Sequence, residues 1–133
     1  MVKQKIAAIA ASVLAVCSIS ATALAAGVYP FSVTLVEGDT KYQVQPKLKN
    51  DSLYAVTYVD SGLESGDKDA TFSARDYTTF NVATDEVDLW VNSRAIMNYK
   101  TGYGIKGKYY HHRVHMDPQA NAHQLTLEGT WTP

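Results

Sequence analysis

Three of the chain's four histidines fall within His111-His112-Arg113-Val114-His115; Asp117 follows two residues on and His123 six after that. Imidazole is the commonest metal-ligating side chain, so this run raises metal binding first. The flanking Tyr109-Tyr110 and Val114 favour an extended conformation, in which His111 and His112 project to opposite faces. His111 and His115 would share a face about 13 Å apart, at roughly 3.3 Å per residue. Zinc takes nitrogen ligands at about 2.0 Å, so those two cannot share an ion unless the strand bulges or the segment is helical. The remaining arrangement is His115 with Asp117 and with His123 reaching back across the intervening loop. His111, His115, Asp117 and His123 are therefore the only metal candidates, each weak. No cofactor is expected, and a solvated strand face is the plainer reading.

Other patterns carry less chemistry. Gly102-Tyr103-Gly104-Ile105-Lys106-Gly107 fits G-x-G-x-x-G, which holds a pyrophosphate only where a strand leads through it into a helix. A strand is expected to follow it here, so its glycines read as turn residues. Asp60, Glu64, Asp67 and Asp69 crowd one loop with Ser61 and Ser65. Their spacing lacks the alternating acidic positions of an EF-hand. Trp90, Trp131 and nine tyrosines supply aromatic surface for core packing or for stacking on a sugar, with Tyr99, Tyr103 and Tyr109 as the exposed candidates. Neither G-x-S-x-G nor H-E-x-x-H occurs. No catalytic residues are expected, and the chain reads as a non-enzyme.

The elements that must position these residues read as strands. Phe31, Val33 and Leu35 alternate with Ser32 and Thr34. Val36 to Thr40 forms a turn, and Pro46 confines the strand around Tyr42 and Val44 to an edge or ends it. In Leu53 to Val59, Ala55, Thr57 and Val59 face one way and Tyr54, Val56 and Tyr58 the other. Phe72 to Val82 is a weaker strand region, broken near Arg75-Asp76. Val87 to Asn92 reads as a strand, and Ala95 to Lys100 as a short strand or one helical turn. Lys108 to Met116 and Gln124 to Trp131 are expected to pair as a final hairpin. Tyr110, His112, Val114 and Met116 would face the core, opposite Leu125, Leu127 and Trp131. Arg113 or a neighbouring histidine would then sit across from Glu128. No helical period is sustained, so the expected fold is all-β, a small antiparallel β-sandwich of about six to eight strands.

Met1 to Ala25 resembles a secretory signal peptide. Lys3 and Lys5 precede an apolar run from Ile6 to Ile19, and Ala23-Leu24-Ala25 offers a small-x-small cleavage site. Leu14-Ala15-Val16-Cys17 approaches a lipid-anchor motif, but Val16 is bulky where a small residue is wanted. The expected organisation is a signal peptide over 1–25 and a single secreted domain over 26–133. That domain would hold no cysteine. Its ten basic and thirteen acidic residues give a formal charge of -3. This mild acidity disfavours nucleic acid and polybasic membrane attachment. No later apolar stretch approaches the roughly 20 residues of a membrane-spanning helix, so stable insertion of the mature chain is not expected.

Leu89-Trp90-Val91-Asn92-Ser93, the turn Gly104-Ile105-Lys106-Gly107-Lys108 and the ending Gly129-Thr130-Trp131-Thr132-Pro133 together resemble a group of small exported proteins of Gram-positive bacteria. Its members are β-rich and cysteine-free and end in a Gly-Thr-Trp-Ser/Thr-Pro motif, and some resemble lactococcin-type bacteriocins in size and export. The likeness is best over the last thirty residues. The histidine-rich strand departs from the group, which offers no catalytic residues to carry over. It implies a secreted, non-enzymatic interaction protein acting at a cell envelope or as a bacteriocin-like factor, with a cell-envelope component or another protein as partner. The alternative is a small ligand-binding module, for metal through the histidines or for glycan through exposed aromatics.

Overall fold

The computed structural model describes residues 27–43, 45–50, 53–118 and 124–133. The signal segment with Cys17, Val44, Asp51, Ser52 and His123 lie outside them. Nine strands follow in order: β1 (Tyr29–Val36), β2 (Thr40–Tyr42), β3 (Lys47–Leu48), β4 (Ala55–Ser61), β5 (Ala70–Asp76), β6 (Val87–Leu89), β7 (Arg94–Met97), β8 (Tyr109–His115) and β9 (Gln124–Thr132). They form two antiparallel sheets. One runs β1-β9-β4-β7. In the other, β2 and β3 both flank β8, which pairs on its far side with β5 and then β6. Among the described residues no helix is long and apolar enough to cross a membrane.

Each sheet buries the face that its period-two pattern marks as apolar. Leu35, Ala55, Val59, Leu125 and Leu127 from the four-stranded sheet meet Ala70, Phe72, Val114 and Met116 from the five-stranded one. A second core group joins Tyr29, Ala74, Ala83, Tyr110 and Trp131. The expected faces of β1, β4, β8 and β9 hold, with Ala55, Thr57 and Val59 buried and Tyr58 exposed. Pro46 separates β2 from β3 at the sheet edge. Of Ala95 to Lys100, the residues to Met97 are strand, in β7, and Tyr99 makes only an isolated bridge to Thr84; the strand expected over Val87 to Asn92 stops at Leu89.

The final hairpin is not formed. β8 and β9 lie in different sheets. β9 instead pairs with β1 and β4, which puts Glu128 beside Ser32 and Ser61. Arg113 finds its carboxylate on Glu86, with Nη1 3.3 Å from Oε1. Arg113 and Glu128 do not face each other because β8 and β9, though consecutive in sequence, are interior strands of separate sheets.

The C-terminal residues do structural work. A Cβ on Gly129 would lie 1.8 Å from the Tyr58 carbonyl oxygen, so β4 and β9 approach there as only glycine allows. Trp131 is fully buried. The Pro133 carbonyl accepts from Lys49 Nζ at 3.0 Å. Lys49 is itself buried, donates to Leu53 O at 2.5 Å, and lies 4.6 Å from the centre of the Tyr99 ring.

Candidate functional site

β8 runs through the middle of the five-stranded sheet, so its alternation divides the histidines by face. His112 points inward. Its Nε2 lies 2.9 Å from Thr57 Oγ1 of the opposite sheet, and its ring stacks between Trp131 and Phe72. Burial alone pushes its pKa down to about 3, because the charged ring would lose its hydration without gaining a carboxylate. It is a neutral core residue.

His111, Arg113 and His115 face outward with Tyr109. His111 lies in register with Arg75 of β5, and Arg113 with Ser73 of β5 and Tyr42 of β2. His111 Nδ1 is 3.2 Å from the Gln43 carbonyl oxygen, so Nδ1 carries the proton and donates. Its ring is flanked by two residues of the turn after β5: Tyr77 at 5.7 Å and Phe80 at 5.5 Å between centroids. Phe80 continues onto Tyr42 at 4.9 Å, and Tyr77 onto Tyr109 at 6.3 Å. The result is a row of rings, Tyr42-Phe80-His111-Tyr77-Tyr109, along the outer face. Phe80 is 47% exposed, Tyr77 55% and Tyr109 48%.

Phe80 is also the one non-glycine residue with a positive φ among the described residues, at 61°. That conformation costs a bulky residue of order 1–3 kcal/mol. The turn enforces it: Asp76 Oδ2 accepts from Thr79 N at 2.8 Å, Phe80 N donates to the Asp76 carbonyl, and Asp76 N donates to the Asn81 carbonyl. A ring placed by strained backbone and then left half in solvent gains little from core burial. Such strain clusters where a surface serves a ligand.

His115 is fastened at both nitrogens. Nδ1 lies 2.6 Å from Thr40 Oγ1, and Nε2 lies 2.7 Å from Asp117 Oδ1. The hydroxyl-imidazole-carboxylate order resembles a nucleophile relay. The adjoining turn braces the same corner through its backbone: Gly38 N donates to Met116 O, Asp39 N to Val36 O and Met116 N to Asp39 O. The trio reads as a strap from β2 to the end of β8. The β5-β8 register runs unbroken from His111 to His115, so no bulge brings the two together. His123 lies outside the described residues. Among those described, no group of three or more His, Cys, Asp or Glu side chains is placed to hold a metal ion.

The acidic loop separates into individual roles. Both Glu64 carboxylate oxygens accept from Gly62 N at 3.0 Å, and that bond holds its pKa below the usual carboxylate range. Asp69 is buried beside Asp88, with Asp117 near. Burial first, and then those two carboxyls, push its pKa up to about 6. The glycine-rich segment is a turn leading into β8, pinned by Gly104 N and Ile105 N donating to Tyr110 Oη.

Of the aromatics picked out in the sequence, Tyr109 belongs to the exposed row. Tyr99 and Tyr103 are only half-exposed, and Tyr99 packs on Tyr110 at 5.1 Å. Trp131 is core, and Trp90 is exposed. Sequence reasoning missed Tyr42, Tyr77 and Phe80. Only the turn cluster Asp76-Tyr77-Thr78-Thr79 hinted at them, since aspartate and threonine favour side-chain-capped turns.

No protein-family model matches this chain, and neither a curated protein nor a solved structure matches it.

Proposed function

We propose that this chain is an exported, non-enzymatic binding module that acts by contact at a cell envelope, engaging carbohydrate through the aromatic row of the five-stranded sheet. The observation that carries the reading is Phe80, held at a φ of 61° with its ring exposed between Tyr42 and His111. Flat rings stack on the C–H face of a pyranose, while flanking polar side chains fix its hydroxyls. Here those neighbours are Arg75, Arg113 and His111. Export is supported by the basic, apolar, Ala-x-Ala order of the first 25 residues. A wall glycan is the partner that such a location supplies.

The test is co-sedimentation with purified peptidoglycan and wall polysaccharide, followed by titration of the soluble fragments that bind. Wild type should bind saturably, and Phe80→Ala and Tyr77→Ala should each weaken binding about tenfold, the loss of roughly 1.4 kcal/mol of stacking. Absence of saturable binding, or variants that bind as wild type does, would sink the reading.

A further inference from the structure

A second feature begins at the Tyr42 end of that row and turns inward, where the free edge of β1 faces the β2-β3 edge. The two sheets leave a cleft there of about 350 Å³, within the roughly 300–1,000 Å³ of small-molecule sites. Its apolar wall is Phe31, Val33 and Val114. His112 also lines it, with the fully buried Trp131 stacked behind at 4.8 Å.

The β2-β3 side carries polar groups turned toward that apolar wall. Lys41 is in register with the core residue Val114, and Lys47 with the core residue Tyr110, so both lysines stand on the inner face of their edge. Inward-pointing charge on an edge strand also discourages pairing with another chain. Among the described residues, neither lysine is held by a strong partner of its own. Lys41 Nζ is 3.8 Å from Asp39 Oδ2 in an exposed pair of the weak kind. Lys47 Nζ lies 5.2 Å from the centre of the Tyr29 ring. Between them, Gln43 lines the cleft, and its Oε1 is buried with no hydrogen-bond partner among the described residues. Edge protection does not account for that atom. A buried acceptor left unpaired costs about 1–3 kcal/mol, and a ligand N–H would recover it.

We propose that this cleft binds an N-acyl amino acid: the acyl chain against Phe31, Val33 and Val114, the amide N–H donated to Gln43 Oε1, and the carboxylate between Lys41 and Lys47. The three requirements of the site are apolar area, one donor and one negative charge, and that ligand class unites them in one small molecule. The cleft is lined by none of the rings of the outer row except Tyr42, so the two sites are separable by mutation.

The experiment uses the Trp90→Phe chain, in which Trp131 is the sole tryptophan. N-decanoylglycine, decanoic acid and N-decanoylglycinamide are titrated while Trp131 fluorescence and the melting temperature are followed. N-decanoylglycine should give a saturable change and a raised melting temperature. It should bind about tenfold more tightly than decanoic acid, which lacks the amide N–H, or the glycinamide, which lacks the charge. Gln43→Leu and Lys47→Glu should each reduce that preference, with the ligand-free melting temperature as the check on folding. Tyr77→Ala, whose ring packs on His111 and Tyr109 away from the cleft, should leave it unchanged, so loss of glycan binding and loss of acyl-amino-acid binding are told apart. No saturable response to N-decanoylglycine, or equal affinity for all three compounds, would overturn the proposal.

Discussion

The imidazole of His112 lies nearly parallel to the indole of Trp131, with centroids 4.8 Å apart and planes inclined by 13°. Phe72 stacks on it at 5.9 Å and the same inclination, while Phe31 meets it edge-on at 4.9 Å. His112 and Phe72 come from one sheet, and Trp131, Phe31 and Thr57 from the other. An imidazole in a sandwich core is therefore a joint between layers: aromatic in its faces and hydrogen-bonded to Thr57 at its edge.

That joint makes the fold acid-sensitive. The folded pKa of His112, about 3, is depressed below the ordinary 6.5. Its contribution to stability is complete above pH 6.5 and is lost as pH falls toward 3, at up to about 1.4 kcal/mol per unit. Urea unfolding of His112→Phe at pH 7 and pH 4 should show a much smaller loss on acidification than wild type. At pH 7 the variant should be about 1–3 kcal/mol less stable, because the buried Thr57 hydroxyl loses its partner.

Asp69 acts in the opposite direction. Its folded pKa, about 6, is raised above the ordinary 3.8. The protonated carboxyl favours the folded state fully below pH 3.8, and that contribution is lost as pH rises through 6. Asp69→Asn should therefore be more stable than wild type at pH 7 by about 1 kcal/mol or more and nearly equal to it at pH 3.5. Paired chemical denaturation curves at the two pH values measure this difference.

Phe80 separates strain from binding. Phe80→Gly removes both ring and strain, whereas Phe80→Ala removes the ring and keeps a Cβ at a φ of 61°. The glycine variant should be the more stable of the two by about 1 kcal/mol in thermal unfolding, while both lose glycan retention equally. If the alanine variant proved the more stable, the turn would not be holding strain.

Gly129→Ala should be severely destabilising. The added methyl meets the Tyr58 carbonyl and, at 3.1 Å, the Phe31 ring. Separating β4 from β9 to admit it should cost about 1–3 kcal/mol or more. The midpoint of urea unfolding reports this, and an unchanged midpoint would mean that the strands part without penalty.

His115 is a strap, so His115→Ala should cost about 0.5–1.5 kcal/mol for its exchanged hydrogen bonds. Adding zinc, copper or calcium after EDTA treatment should leave the wild-type melting temperature unchanged. A shift abolished by His115→Ala would instead make the outer histidines a metal site.

Side-chain direction along a strand repeats every two residues, a local property, so it was legible in the sequence. Leu35, Ala55, Val59, Val114 and Leu127 are buried where alternation places them, and His111 and His112 divide as expected. The turn glycines and the break at Pro46 are equally local. Pairing between strands is not local. Six of the eight connections cross from one sheet to the other, so nearness along the chain says little about nearness in space. Only the tertiary structure decided that Arg113 meets Glu86 rather than Glu128. It also brought Lys49 to the Pro133 carbonyl and closed β4 onto Gly129. The aromatic row depends on it most, since Tyr42, Phe80, His111, Tyr77 and Tyr109 come from three separate segments. They meet only because β2 and β5 flank β8 and the turn after β5 folds its strained phenylalanine back over the sheet.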